Sequence, residues 1–205
     1  MQRIKVVVSM MVLVVATLQA SAFHLRLSPG SGDRIKELSQ LIKQQPGNAQ
    51  AYGERAAARM EAKDVYGAIK DYTFALTLSE GNDQAYLLGR GNAFLEIGAY
   101  KEALKDFDAI LMNGNSTDAL YGRAVGKYYL DDFFGAIRDL DEVVAVSPQH
   151  SKALCNRGIV KLELNQLEES VTDLTLFLTL YPDHQEAAYA LQVATNKLQR
   201  RIAKR

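Results

Sequence analysis

A four-fold repeat of arginine and aspartate constrains the fold of this chain more than any other feature. Four arginines, each followed by Ala or Gly, recur at intervals of 35, 33 and 34 residues: Arg55, Arg90, Arg123 and Arg157. An aspartate follows each of them 16 residues later: Asp71, Asp106, Asp139 and Asp173. A period near 34 residues is typical of stacked helical hairpins, because a single hairpin cannot bury its own apolar face. The sequence therefore predicts an all-α array.

Residues 49–184 resemble tetratricopeptide repeats over four repeats in register. Small residues occupy the position where the two helices of such a hairpin cross: Ala56, Gly91, Ala124 and Gly158. A second small residue recurs in the second helix: Ala68, Ala103, Ala136 and Ser170. The resemblance implies a right-handed α-solenoid of stacked helical hairpins, with repeats at 49–83, 84–116, 117–150 and 151–184. Small crossing residues also let helix backbones approach closely.

Two further helices are expected to flank the repeats. Apolar spacing predicts an N-terminal helix at 33–45, with Asp33 as its N-cap, after a linker at 23–32. Residues 185–205 read as a capping helix, running from Gln185 to about Gln199, and a basic tail. Cations at a helix end complement its dipole, although contact with an anionic lipid surface or an acidic partner is the alternative.

The first 22 residues have the order of a secretory signal peptide. A basic start containing Arg3 and Lys5 precedes an apolar run, and Ala20-Ser21-Ala22 is a small-residue exit. The alternative is an uncleaved membrane anchor, but 13 residues from Val6 to Leu18 rise only about 20 Å, against about 30 Å of hydrocarbon. The sequence predicts an exported protein, periplasmic or secreted, with no integral membrane span after cleavage.

The recurring arginine and aspartate are expected to form structural pairs. Antiparallel helices of a hairpin can bring the two side chains together, and a guanidinium can bind a carboxylate through two hydrogen bonds. The alternative is a coincidence of surface charges. A pair present in every repeat indicates scaffold, because a catalytic group would occur once.

The sequence predicts no catalytic, cofactor or metal site, and hence no enzyme. No phosphate-binding glycine loop, nucleophile motif or zinc-type spacing occurs. His150 and His184 fall in equivalent turns, where they are expected to be solvated, and Asp131-Asp132 is expected to favour the following helix start. Cys155 reads as an apolar filler, with a reactive thiol as the alternative. Asn115-Ser116-Thr117 is a glycosylation sequon on an expected loop.

The resemblance also implies a concave groove lined by the first helix of each repeat. The predicted partner-binding residues are Leu88, Asn92, Leu95, Tyr121, Val125, Tyr128, Ile159 and Leu162, with Met60 and Cys155 as further candidates. Tyrosines and apolar anchors suit an extended peptide or a helix. The alternative is that about half of these side chains pack between repeats.

A non-catalytic scaffold that binds a protein or peptide is the leading functional hypothesis. The 24 basic and 24 acidic residues balance, so nothing in the overall charge favours a nucleic-acid partner. The alternative is a structural or assembly subunit of an envelope or secreted complex, acting through its outer edges or by self-association.

Overall fold

The computed structural model of the chain describes residues 30–204. That range contains ten α-helices and no strand. In chain order they are α1 Ser31–Gln44, α2 Ala49–Glu61, α3 Val65–Leu78, α4 Gln84–Glu96, α5 Tyr100–Met112, α6 Thr117–Tyr129, α7 Phe133–Val146, α8 Ser151–Glu163, α9 Leu167–Leu180 and α10 Gln185–Ile202. The predicted all-α class is confirmed, and each predicted repeat contains two of these helices. The predicted signal peptide lies outside the described residues, as does the linker up to residue 29.

The helices form two compact units, residues 30–122 and residues 123–204 within the described range. In the first unit, α1 packs on α2, α2 on α3, α3 on α4 and α4 on α5. Small residues allow these close contacts, since Ala56 and Ala68 are fully buried against Tyr72. A second cluster in the same unit is built around Phe107, which is also fully buried.

In the second unit, α7 packs on α8, α8 on α9 and α9 on α10, and α8 also contacts α10. Leu140, Leu154 and Leu174 are its buried aliphatic side chains, at 0–1% exposure. Ser170 occupies the small-residue position where the other repeats have alanine. Its buried hydroxyl donates a hydrogen bond of 2.7 Å to the carbonyl of Gly158, so the polar group is satisfied.

The first helix of every hairpin ends in the same left-handed turn. Lys63, Gly98, Asp131 and Asn165 occupy equivalent positions, with φ between 59° and 74°. The next amide donates back across the turn in each case, for example from Asp64 to the carbonyl of Arg59 at 2.8 Å. This hydrogen bond satisfies a carbonyl at the helix end. Only one of the four positions uses glycine, although left-handed backbone favours it.

Side-chain caps start most of the helices in both units. Asp64 and Asp132 accept hydrogen bonds from Gly67 and Gly135, at 3.0 and 2.8 Å. The prediction for Asp33 is wrong: α1 begins at Ser31, Gly30 is its N-cap without a side-chain hydrogen bond, and Asp33 lies in the first turn. Its carboxylate still complements the helix dipole there. At the other end, α10 continues to Ile202, beyond the predicted end near Gln199.

No helix within residues 30–204 has the length and apolar character needed to cross a membrane.

Candidate functional site

The structure joins all four arginine–aspartate pairs through two parallel hydrogen bonds each. Nε and Nη2 of the arginine donate to the two carboxylate oxygens of the aspartate, at distances of 2.7–2.9 Å. The four aspartates are 3–4% exposed. These contacts are therefore buried struts across each hairpin. In the first pair, the hydrogen bond to Asp71 raises the pKa of the Arg55 guanidinium above its ordinary value, against the effect of burial.

Three of the four aspartates have a second cation. Arg59 lies 2.9 Å from Asp71, Lys127 lies 2.7 Å from Asp139 and Lys161 lies 2.8 Å from Asp173. Each of these cations stands four residues after the pairing arginine, on the same helix face. The second repeat has Phe94 at this position. The Arg90 guanidinium lies 5.9 Å from the centre of the Phe94 ring.

The pairing arginines also bind the helix that precedes their own hairpin. Within the first unit, Nη1 of Arg55 donates to Ser39 at 3.1 Å and Nη1 of Arg90 donates to Thr73 at 3.2 Å. Within the second unit, Arg157 binds Asp141 at 3.0 Å. Each of these guanidinium groups therefore connects three helices. This arrangement positions the first helices and leaves no free valence for chemistry.

In the first unit, the predicted groove residues lie on one face of α4. Leu88, Asn92 and Leu95 are separated by four and three residues, and all three are half-buried. The two leucines pack against the cluster around Phe107. The Asn92 amide makes no hydrogen bond to another side chain within residues 30–204. We call these three residues the α4 strip. Met60, on α2, packs against the cluster of Ala56 and Tyr72.

In the second unit, most predicted groove residues are buried. Val125 and Tyr128 on α6 are 6% and 5% exposed, while Ile159 and Leu162 on α8 are 2% and 1% exposed. Tyr121, at the start of α6, is half-buried. Four of the eight predicted residues are thus already packed, in line with the alternative considered from sequence. Val125, Tyr128 and Ile159 border a small apolar hollow between α6 and α8, which we call the α6–α8 hollow.

Two polar atoms beside this hollow are buried without a hydrogen-bond partner in the described range. They are the Tyr128 hydroxyl and Oε1 of Glu163. Burial, and next the negative charge of Glu163, raises the pKa of the Tyr128 phenol well above its ordinary value. Glu163 was not among the predicted site residues. It is the residue after Leu162, and its sequence position alone did not distinguish it from a solvated helix end.

Cys155 lies on α8 and is 5% exposed. Burial, and next the charge of Glu186, raises the pKa of the thiol from 9.0 to about 12. A thiol with so high a pKa is protonated near neutral pH and is a poor nucleophile. The structure therefore agrees with the apolar-filler interpretation of this residue.

The two turn histidines are helix caps. Nδ1 of His150 accepts a hydrogen bond from the Ala153 amide at 3.0 Å, and Nδ1 of His184 accepts one from Ala187 at 3.4 Å. Their other neighbours do not assemble a metal site: within residues 30–204 no group of three or more His, Cys, Asp or Glu side chains could hold an ion. In the tail, Arg200 and Arg201 occupy the last turn of α10, and Arg201 lies 3.5 Å from Glu168.

Among characterised proteins, the chain is similar to relatives that are much longer than it is. It is 32% identical over 176 residues to DnaJ protein P58IPK homolog A of rice, covering 78% of this chain and 36% of that protein. It spans about a third of the length of this relative and of DnaJ homolog subfamily C member 3 of chicken. No protein-family model matches the chain.

Solved structures show the same fold at low sequence identity. YrrB, described as a TPR protein with an unusual peptide-binding site, has a TM-score of 0.68 at 20% identity, over 80% of this chain and 85% of that one. A tetratricopeptide repeat protein from Parabacteroides merdae has a TM-score of 0.70 at 19% identity, over 84% of this chain and 71% of that one. These similarities extend over most of the described helices.

Proposed function

Because this chain is a tetratricopeptide-repeat protein, we propose that it is a non-catalytic scaffold that binds a protein or peptide through its first helices. The observation that carries the proposal is the α4 strip. A polar amide without a side-chain partner lies between two half-buried leucines on one helix face. A side chain that can both donate and accept suits a peptide bond, and the leucines suit the apolar side chains beside it.

The arginine–aspartate struts support this function indirectly. They hold the first helices through buried hydrogen bonds to two neighbouring helices, so the binding face is positioned before a ligand arrives. A preorganised face loses less conformational entropy on binding. The similarity to YrrB, whose description includes a peptide-binding site, points in the same direction.

Capture of a partner by the immobilised full chain tests the proposal. Asn92→Ala removes the amide and should weaken binding by about tenfold or more, because a buried peptide group then loses its hydrogen bond. Tyr66→Ala is the matched control, since Tyr66 is 75% exposed on α3, a second helix. Loss of capture with Tyr66→Ala and not with Asn92→Ala would contradict groove binding and favour the assembly alternative.

We further propose that the protein is exported, to a periplasm or into a secretory pathway, after cleavage behind Ala22. The support is the order of basic, apolar and small residues in the first 22 positions. Expression of the full chain in a secreting host should yield a product whose intact mass begins at Phe23. Retention of the complete chain in the membrane fraction would contradict cleavage.

A further inference from the structure

The α6–α8 hollow and the two unpartnered polar atoms beside it carry a more specific inference about the ligand. Resting on the proposed function, we propose that this part of the groove accepts a lysine or arginine side chain of the bound peptide. In this arrangement Glu163 neutralises the cation, the Tyr128 hydroxyl accepts a hydrogen bond from it, and Val125 and Ile159 contact its aliphatic stem.

The first step of the argument is that both polar atoms lack a partner where partners are normally found. Tyr128 is 95% buried, since its exposure is 5%, and its hydroxyl makes no hydrogen bond within residues 30–204. A buried hydroxyl left in this state costs about 1–3 kcal/mol relative to a satisfied one. The chain therefore keeps a polar atom that destabilises its free form.

The second step is the charge of this site. Oε1 of Glu163 is buried and has no hydrogen-bond partner in the described range, and no ion pair there involves this carboxylate. The contrast within the second unit is clear, because Asp139 and Asp173 each bind an arginine and a lysine. A buried carboxylate is ordinarily paired. A cation supplied by a ligand would complete the site.

The third step is the shape and lining of the hollow. Val125 and Ile159 give it apolar walls, and Tyr128 lines it with its phenol ring. Lysine and arginine bury their methylene stems on such surfaces and keep the charged head at the polar end. An acidic ligand would meet the Glu163 charge with the same sign, so charge complementarity selects a basic one.

Short synthetic peptides that differ only at one central residue test this site. The central residue is lysine, arginine, the neutral and equally long norleucine, or glutamate, and retention on the immobilised full chain is measured by fluorescence. We expect the lysine and arginine peptides to bind at least about tenfold more tightly than norleucine. Glu163→Gln should abolish this preference and Tyr128→Phe should reduce it. Glu169→Gln, an exposed carboxylate on α9 in the same unit, should leave it unchanged.

The outcomes separate this site from groove binding itself. If all the peptides bind the wild type equally, the cation site is wrong and peptide binding stands. If the preference for lysine survives in Glu163→Gln, the cation site is also wrong. If no peptide is retained by a wild-type chain that is folded by circular dichroism, both the cation site and the proposed function are contradicted.

Discussion

Arg90 binds Asp106 through parallel hydrogen bonds of 2.9 and 2.7 Å, and Asp106 has no second cation within residues 30–204. Asp71, in the preceding repeat, has two: Arg55 and Arg59. The two aspartates are equally buried, at 4% and 3% exposure. The second repeat is therefore the place where the strut depends on a single side chain.

This difference predicts unequal effects of removing the pairing arginine. Arg90→Leu leaves Asp106 buried without any cation and should lower the free energy of unfolding by about 3–5 kcal/mol. Arg55→Leu leaves Asp71 with Arg59 and should lower it by about 1–2 kcal/mol. The comparison is matched, because each arginine also binds a hydroxyl on the preceding helix. Denaturant unfolding of the two variants measures the difference.

The double variant Arg90→Leu/Asp106→Leu is the control for this prediction. Removing both charges eliminates the stranded carboxylate, so much of the lost stability should return. Equal losses for Arg90→Leu and Arg55→Leu would contradict a special dependence of Asp106 on Arg90.

The left-handed turns after the first helices predict a simple stabilisation. Asp131 and Asn165 have φ of 66° and 59°, where Gly98 stands in the equivalent turn at 74°. Asp131→Gly and Asn165→Gly should each raise the free energy of unfolding by up to about 1 kcal/mol, since glycine adopts this backbone without a steric penalty. Gly98→Ala should lower it by a similar amount. Loss of stability in both glycine variants would show that the native side chains contribute more than the backbone conformation costs.

The cation site makes a prediction about the free protein as well as the complex. Tyr128→Phe removes an unpartnered buried hydroxyl, and Glu163→Gln removes an unpaired charge beside it. Because neither change breaks a hydrogen bond in the described range, we expect the thermal midpoint to stay the same or rise. A fall in the midpoint equivalent to several kcal/mol would show that these groups stabilise the free fold. Val125→Ser, which places a hydroxyl in the apolar wall, should lower it and is the comparison variant.

Cys155 provides a test based on pH. Its folded pKa of about 12 lies above the ordinary 9.0, so the unfolded thiol loses its proton first as the pH rises. Its contribution to stability is therefore complete below about pH 9 and is lost as the pH rises through 12. Near pH 8, iodoacetamide should modify the native chain far more slowly than the denatured chain. Equal rates would show that the thiol is accessible in the native state.

The sequence was sufficient to predict the scaffold because the scaffold repeats. The pairing of Arg55 with Asp71 follows from a fixed separation that recurs in every hairpin. The second cations were also visible, since Arg59, Lys127 and Lys161 each stand four residues after the pairing arginine. Helix starts were less predictable: α1 begins at Ser31 rather than at the expected cap Asp33, although the turn contains glycine.

The binding face could be predicted only in part, because burial depends on neighbouring helices. Leu95 and Leu162 occupy equivalent positions, yet Leu95 is half-buried and Leu162 is 1% exposed. In the second unit, α10 packs against both α8 and α9, and no pattern within α8 announces that contact. Glu163 was missed for the same reason, since a glutamate at a helix end is usually solvated.

Site-specific photo-crosslinking tests the central claim most directly. A photoreactive amino acid replaces Asn92 in the α4 strip of one full chain, and Tyr66 on the outer helix α3 of another, and both are irradiated in the native compartment. Binding through the first helices predicts that the partner is covalently captured from position 92 and not from position 66. Capture from position 66 alone would contradict it.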